Sequence, residues 1–289
     1  SSTTEALRKF YDGKNNYELL KSELTFENLE DLANFWDDVY SQNEERFSER
    51  ILRRLYVLCY APNSMWGYIL SVYYLTNRQE NGLLDESSLC VFLDKITAFI
   101  WAYAVTNPGV NSLRTPIYSE MINIIDGAPV LFEKFRFDKT SLQTSFGNYD
   151  FRNNRPITKS MLTWWLMQND DQPLPSLATI FETEHIYAKN RNEKEHSLTV
   201  PGKVDSIGNK AVLEKRINIR ASDYRFEDKK KYYSGFQPRP GVDKEGTINK
   251  ELLEMAARKD DFTEADIDAR RQEILDAFYE FIDKNGLFA

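Results

Sequence analysis

A mainly α fold is predicted for this 289-residue chain: a helical bundle over its N-terminal half, and a C-terminal half in which two short strands sit among helices. Three observations carry that expectation. Apolar residues recur every three or four positions through most of residues 1 to 126, the spacing of one buried helical face. Strand-like alternation is confined to brief stretches near residues 180 and 210. A long amphipathic segment with a capping signal closes the chain.

Taken in order, residues 26–40 place Phe26, Leu29, Leu32, Ala33, Trp36, Val39 and Tyr40 on one helical stripe. Residues 48–60, 64–76 and 86–105 repeat it. Turn chemistry separates them at Ala61-Pro62-Asn63-Ser64, Asn81-Gly82 and Asn107-Pro108-Gly109. The aromatic residues Trp66, Tyr68, Tyr73, Tyr74, Trp101 and Tyr103 fall at core spacing, so packing is the expected role rather than stacking on bases. The chain opens at Ser1-Ser2 and is expected to pass almost directly into helix, as in a piece of a longer protein.

The pattern loosens between Asp126 and Arg155, which puts a domain junction near 150: a helical connector over 1–150 and a second domain over 151–289. A short apolar helix is predicted over 160–167, then a strand over 179–186 and a second over 210–213. Residues 218–233 read as one helix stopped by Pro238 and Pro240, residues 248–255 as a short helix and residues 263–282 as a long one. Thr263, three residues before Asp266, marks its start.

Composition is that of a globular protein, with 42% hydrophobic and 28% charged residues. The longest unbroken apolar run, Ala98 to Val105, is short of the roughly 20 residues needed to cross a bilayer. No membrane partner and a cytoplasmic location are therefore expected. Cys59 and Cys90 lie among apolar residues, as buried free thiols do. The net charge of −8 argues against nucleic acid only as an average. Between His185 and Pro240 there are thirteen Lys/Arg against seven Asp/Glu, a local charge of +6 in a chain whose remainder carries −14. Phosphate binding would call for such an island.

The island surrounds Glu184-His185-Ile186, Gly208-Asn209 and Asn218. Hydrolysis of a phosphodiester needs a base for water, a cation for the crowded negative charge, and fixed geometry. His185 is the candidate base, and Asn209 can fix the loop between the strands and orient the imidazole. Glu184 and Asn218 offer hard oxygens suited to Mg²⁺ or Mn²⁺. With no nearby cysteine, a closed zinc site cannot be assembled locally. Lys189, Lys210, Arg220, Lys229 and Lys230 are candidate contacts to DNA phosphates. Singly, each piece has a plain structural reading: Gly-Asn is a turn signal, Asn218 a possible helix cap, and His196 a solvated histidine in a polar loop. Neighbours on a strand point to opposite faces, so Glu184 and His185 can serve one centre only if the chain bends there.

At these residues the sequence resembles the C-terminal HNH nuclease domain of GmrSD-type, modification-dependent restriction endonucleases and related phage-defence proteins. The family pattern is matched by Glu184-His185-Ile186, Gly208-Asn209, Asn218 and Phe226-Glu227-Asp228-Lys229, with Ile267, Arg270 or Arg271 and Ile274 on a closing helix. The resemblance covers about residues 156–284. It implies a ββα-metal core embedded in helices, with His185 as general base, Glu184 and Asn218 at a divalent metal, and Asn209 holding the base. It also implies a DNA endonuclease acting as the effector part of a restriction protein. Its partners would be DNA and an N-terminal nucleotide-dependent domain, whose Asp-Gly-Gln-Gln-Arg motif does not occur here. Two departures stand out: Ala188 where proline is frequent, and Lys210 in place of an apolar residue. The other readings are an HNH-like module that binds DNA or protein without catalysis, and a helical scaffold.

Overall fold

The computed structural model describes Arg8, Asp12, residues 21–109 and residues 111–289. The predicted entry of Ser1-Ser2 into helix lies outside the described residues. Among the described residues from 21 on, seven helices precede the first strand: α1 (Glu23–Ser41), α2 (Glu49–Cys59), α3 (Met65–Asn77), α4 (Glu86–Thr106), α5 (Arg114–Ile125), α6 (Lys139–Asn148) and α7 (Pro156–Leu166). Strand β1 (Phe181–His185), helix α8 (Lys189–Glu195), strand β2 (Lys210–Glu214) and helix α9 (Lys215–Ala221) follow. Next are α10 (Phe226–Ser234), the strands β3 (Phe236–Arg239) and β4 (Val242–Lys244), α11 (Lys250–Arg258) and α12 (Glu264–Lys284). The architecture is mainly helical.

The predicted helices form, but the stripe expected over residues 26–40 is only partly buried: Val39 is enclosed and Leu32 and Trp36 half-buried, whereas Phe26, Leu29, Ala33 and Tyr40 face outward. In α2, Ile51, Leu52, Leu55, Tyr56 and Leu58 are buried together. Helix α4 starts where the Asp85 carboxylate accepts the Ser88 amide at 2.8 Å, satisfying one of the free donors of the first turn. By length and composition α4 is apolar enough to cross a membrane. Here it is a core helix packed by α2, α6, α7 and α12, with Leu93, Ile96 and Phe99 to Ala102 fully enclosed. Tyr73 stacks on Phe92 and Tyr74 on Phe35, and Trp101 is fully buried, whereas Tyr68 is exposed. Both cysteines are free thiols.

The largest apolar cluster crosses residue 150. Phe99 stacks on Phe132; Phe146 and Trp164 pack on Phe278; and the same cluster takes in Phe181 of β1 and Val212 of β2. A smaller cluster, with Ile186, Leu213, Phe226, Tyr233 and Phe262, lies beneath α9 to α11.

Four local expectations change. The loosened stretch after Asp126 contains α6, started by the Asp138 side chain on the Ser141 amide. The polar stretch before His196 is helix α8, not a loop. The single helix expected over residues 218–233 is two, because Ser222 takes a left-handed backbone (φ 44°) between α9 and α10. Pro238 and Pro240 do not simply stop a helix: Pro238 lies in β3, and Gly241 at φ 76° turns the chain into β4. That turn requires the left-handed region glycine tolerates.

β1 and β2 pair antiparallel from Phe181↔Glu214 to His185↔Lys210. The turn preceding β2 is pinned to α12. A side chain at Gly208 would collide with the Ile267 carbonyl and the Arg271 amide. Beside it, Arg270 donates to the carbonyls of Ile207, Gly208 and Lys210 (3.2, 3.1 and 2.6 Å) and makes a two-point pair with Glu251 (2.6 and 2.8 Å). Thr263 and Asp266 form the predicted capping box at the start of α12. Removing Arg270 takes the cation from Glu251, leaving it only the Trp165 indole at 2.8 Å, and takes a donor from three buried carbonyls. Arg270→Met is therefore expected to lower unfolding free energy by about 3–5 kcal/mol in urea titrations, while the exposed Arg216→Met leaves it within about 0.5 kcal/mol.

Candidate functional site

Strand alternation divides the predicted site. Side chains at 181, 183 and 185 of β1 share one face with 210, 212 and 214 of β2; 182 and 184 share the other with 211 and 213. The pairing stays regular through His185, so the bend needed to bring Glu184 and His185 to one centre is not present.

On the first face the His185 imidazole meets a residue that the sequence reading missed. Its Nε2 lies 3.3 Å from Asp205 Oδ1. The same oxygen is 3.2 Å from Lys210 Nζ and 3.4 Å from Lys189 Nζ. Burial, then the Lys210 ammonium, pushes His185 down to about 4, against the opposing bond from Asp205. Burial alone would raise Asp205; Lys210, His185 and Lys189 together hold it at about 2. The ionised carboxylate can only accept, so Nε2 carries the proton and Nδ1 keeps a free lone pair. Asp205 ends a 3₁₀ turn, Pro201–Asp205, twenty residues after His185. No spacing in the sequence marks it.

Asn209 is fully buried and bonds both sides of the loop. Its Oδ1 accepts the Tyr187 amide at 2.6 Å, and its Nδ2 donates to the carbonyls of Tyr187 (3.0 Å) and Val204 (2.8 Å). It therefore fixes the chain on both sides of the site; the imidazole's own partner is Asp205.

On the opposite face Glu184 is only 3% exposed. Its Oε1 accepts from Lys229 Nζ at 2.7 Å and from the Tyr233 hydroxyl at 2.6 Å. Burial pushes the Glu184 carboxyl up, and Lys229 opposes that shift. Asn218, on α9, does not bond Glu184. Its Nδ2 donates to Glu182 Oε2 at 2.8 Å.

The phosphate contacts need correction. Lys229 is enclosed between Glu184 and the His185 carbonyl, 2.6 Å away, and cannot reach DNA in this arrangement. Lys210 is equally enclosed, its ammonium on the Phe151 carbonyl and Asp205. The unusual Lys210 thus serves packing: its stem fills an apolar position and its charge is met internally. Lys230 lies 3.5 Å from Asp260. Arg220 donates to the Glu245 carbonyl and lines a groove of about 900 Å³ with Lys215, Arg216 and Lys244. Lys189 alone of the five candidates stands beside His185 and reaches solvent. The basic island is also partly neutralised from outside by Asp261 on Arg191 and by Glu264 and Asp268 on Lys203.

A divalent ion held by Glu184 and Asn218 does not fit these residues. The carboxylate oxygen is already shared by an ammonium and a phenol, and the amide is turned to Glu182. Among the described residues no three His, Cys, Asp or Glu side chains are grouped to hold a metal.

The fold and site define a mainly helical protein built around a strand–loop–strand–helix unit, with a half-buried imidazole paired to Asp205 at the end of its first strand. Residues 136–277, just under half of the chain, match the family of GmrSD restriction endonucleases, C-terminal domain. The match begins in the segment leading to α6, earlier than the sequence resemblance, and ends within α12. It associates this part of the chain with a restriction-endonuclease type of nuclease role. No curated protein and no solved structure matches the chain.

The His185 environment has a measurable consequence. The unfolded histidine takes up its proton near pH 6.5 and the folded one only near 4, so between these values the unfolded state binds more protons and stability falls as pH falls. Urea midpoints measured from pH 7 to pH 4 are expected to drop less steeply in His185→Gln than in the parent.

Proposed function

We propose that the segment matched to the GmrSD family is an HNH-like, ββα-type endonuclease domain that hydrolyses DNA phosphodiesters, the effector part of a restriction or phage-defence protein. The observation that carries this reading is the neutral His185, held by Asp205 and flanked by Lys189, inside a segment of restriction-endonuclease type. The hairpin β1–β2 followed directly by α9 has the required order of elements.

In this reading Nδ1 of His185 takes a proton from water as the water oxygen bonds to phosphorus, the P–O ester bond breaks, and the leaving oxygen takes a proton from solvent to become a free hydroxyl. Asp205 holds the Nε2–H and stabilises the imidazolium that forms. Lys189 is placed to meet a phosphate oxygen. The sequence expectation of Mg²⁺ or Mn²⁺ at Glu184 and Asn218 supplies no step here, because those side chains do not form a binding set.

A second reading, a module that binds DNA or protein without cutting, is favoured by that same separation of Glu184 and His185 across the hairpin. Supercoiled plasmid incubated in Mg²⁺ or Mn²⁺ separates the two. Nicking by the parent is expected to fall by about 100-fold or more in His185→Ala, the usual scale for loss of a general base. Salt-dependent binding with no nicking would favour the binding module; nicking that His185→Ala leaves intact would remove His185 from the chemistry.

A further inference from the structure

We propose that Glu184 is the internal counter-ion of Lys229 and not a metal ligand, and that Phe226, Lys229 and Tyr233 form a latch joining α10 to the strand that carries His185. These three are the buried residues of α10 and recur at helical spacing, so one face of the helix presents them all. Phe226 enters the smaller apolar cluster and packs on Phe262. Lys229 and Tyr233, one turn apart, converge on Glu184 Oε1 at 2.7 and 2.6 Å. Lys229 has a second partner, the His185 carbonyl at 2.6 Å. One ammonium thus ties together the carboxylate of residue 184 and the backbone of residue 185.

Two physical points separate the latch from a metal site. A carboxylate this deep is costly to leave charged unless a cation and hydrogen bonds meet it, and the latch supplies one cation and one phenol. A dication at the same oxygen would face the Lys229 ammonium across a few ångströms of low-dielectric interior, a strong repulsion. Lys229 would have to leave, stranding the His185 carbonyl. Further along the same face of β1, nearer the strand's start, Glu182 forms a separate polar pair with Asn218, and that pair has no bond to the latch.

The test measures metal affinity and thermal stability of the full chain, neither of which depends on cleavage, so its failure and failure of the nuclease reading are distinguishable. Mn²⁺ is titrated calorimetrically into the parent, Glu184→Gln and Lys229→Met, and each is melted beside the double variant. Mn²⁺ affinity is expected to stay within about twofold of the parent in both single variants. Each single variant should lose roughly 5–10 °C of melting temperature, and the double variant less than the sum of the two. Loss of Mn²⁺ affinity by about tenfold in Glu184→Gln, or a comparable gain in Lys229→Met, would overturn the proposal; so would single variants that melt with the parent. If the charge variants do not fold, Tyr233→Phe keeps both charges: unchanged Mn²⁺ affinity supports the latch, and tighter Mn²⁺ binding contradicts it.

Discussion

Antiparallel pairing of β1 with β2 is the constraint on which the rest of the site depends. Five consecutive pairs, from Phe181↔Glu214 to His185↔Lys210, send adjacent side chains to opposite faces. One face looks toward the large helical core, the other toward α9 and α10. Glu184 and His185 are covalent neighbours, yet each belongs to a different polar network. His185 joins Asp205, Lys189 and Lys210; Glu184 joins Lys229 and Tyr233. The two networks meet only where Lys229 reaches the His185 carbonyl.

That arrangement needs a hairpin that does not slip, since a one-residue shift would exchange the faces. The turn before β2 supplies the anchor. Gly208 lies against α12 too closely for a side chain, Arg270 gathers the carbonyls of Ile207, Gly208 and Lys210, and Asn209 ties the turn to Tyr187. Burying so many polar groups is tolerable because each finds a partner. The long terminal helix is thus part of the site's support.

Much of this was legible in the sequence, and the failures have physical reasons. The helices of the first hundred residues, both site strands and the capped α12 follow from local periodicity and turn chemistry, although Phe26, Leu29, Ala33 and Tyr40 of the first stripe stay exposed. The order Glu184-His185, Gly208-Asn209, Asn218 also points to the family that the segment matches. Sequence could not assign partners. Lys210 and Lys229 read as surface cations because charge suggests exposure, and only the fold shows their ammonium groups enclosed. Asp205 gave no signal because its role arises from a loop folding back over twenty residues. The break at Ser222 was hidden because a serine at positive φ leaves no sequence mark. A charge count over the basic island likewise missed the acids that α12 and its approach bring to it.

The central claim is that the hairpin keeps Glu184 out of any metal centre while leaving His185 free to act as a base. Its most direct test is anomalous diffraction from crystals of the protein grown or soaked in Mn²⁺. Glu184 is expected in contact with Lys229 and Tyr233, with no manganese peak within coordination distance, about 2–2.5 Å, of its carboxylate. A manganese ion bridging Glu184 and Asn218, with Lys229 displaced, would contradict it.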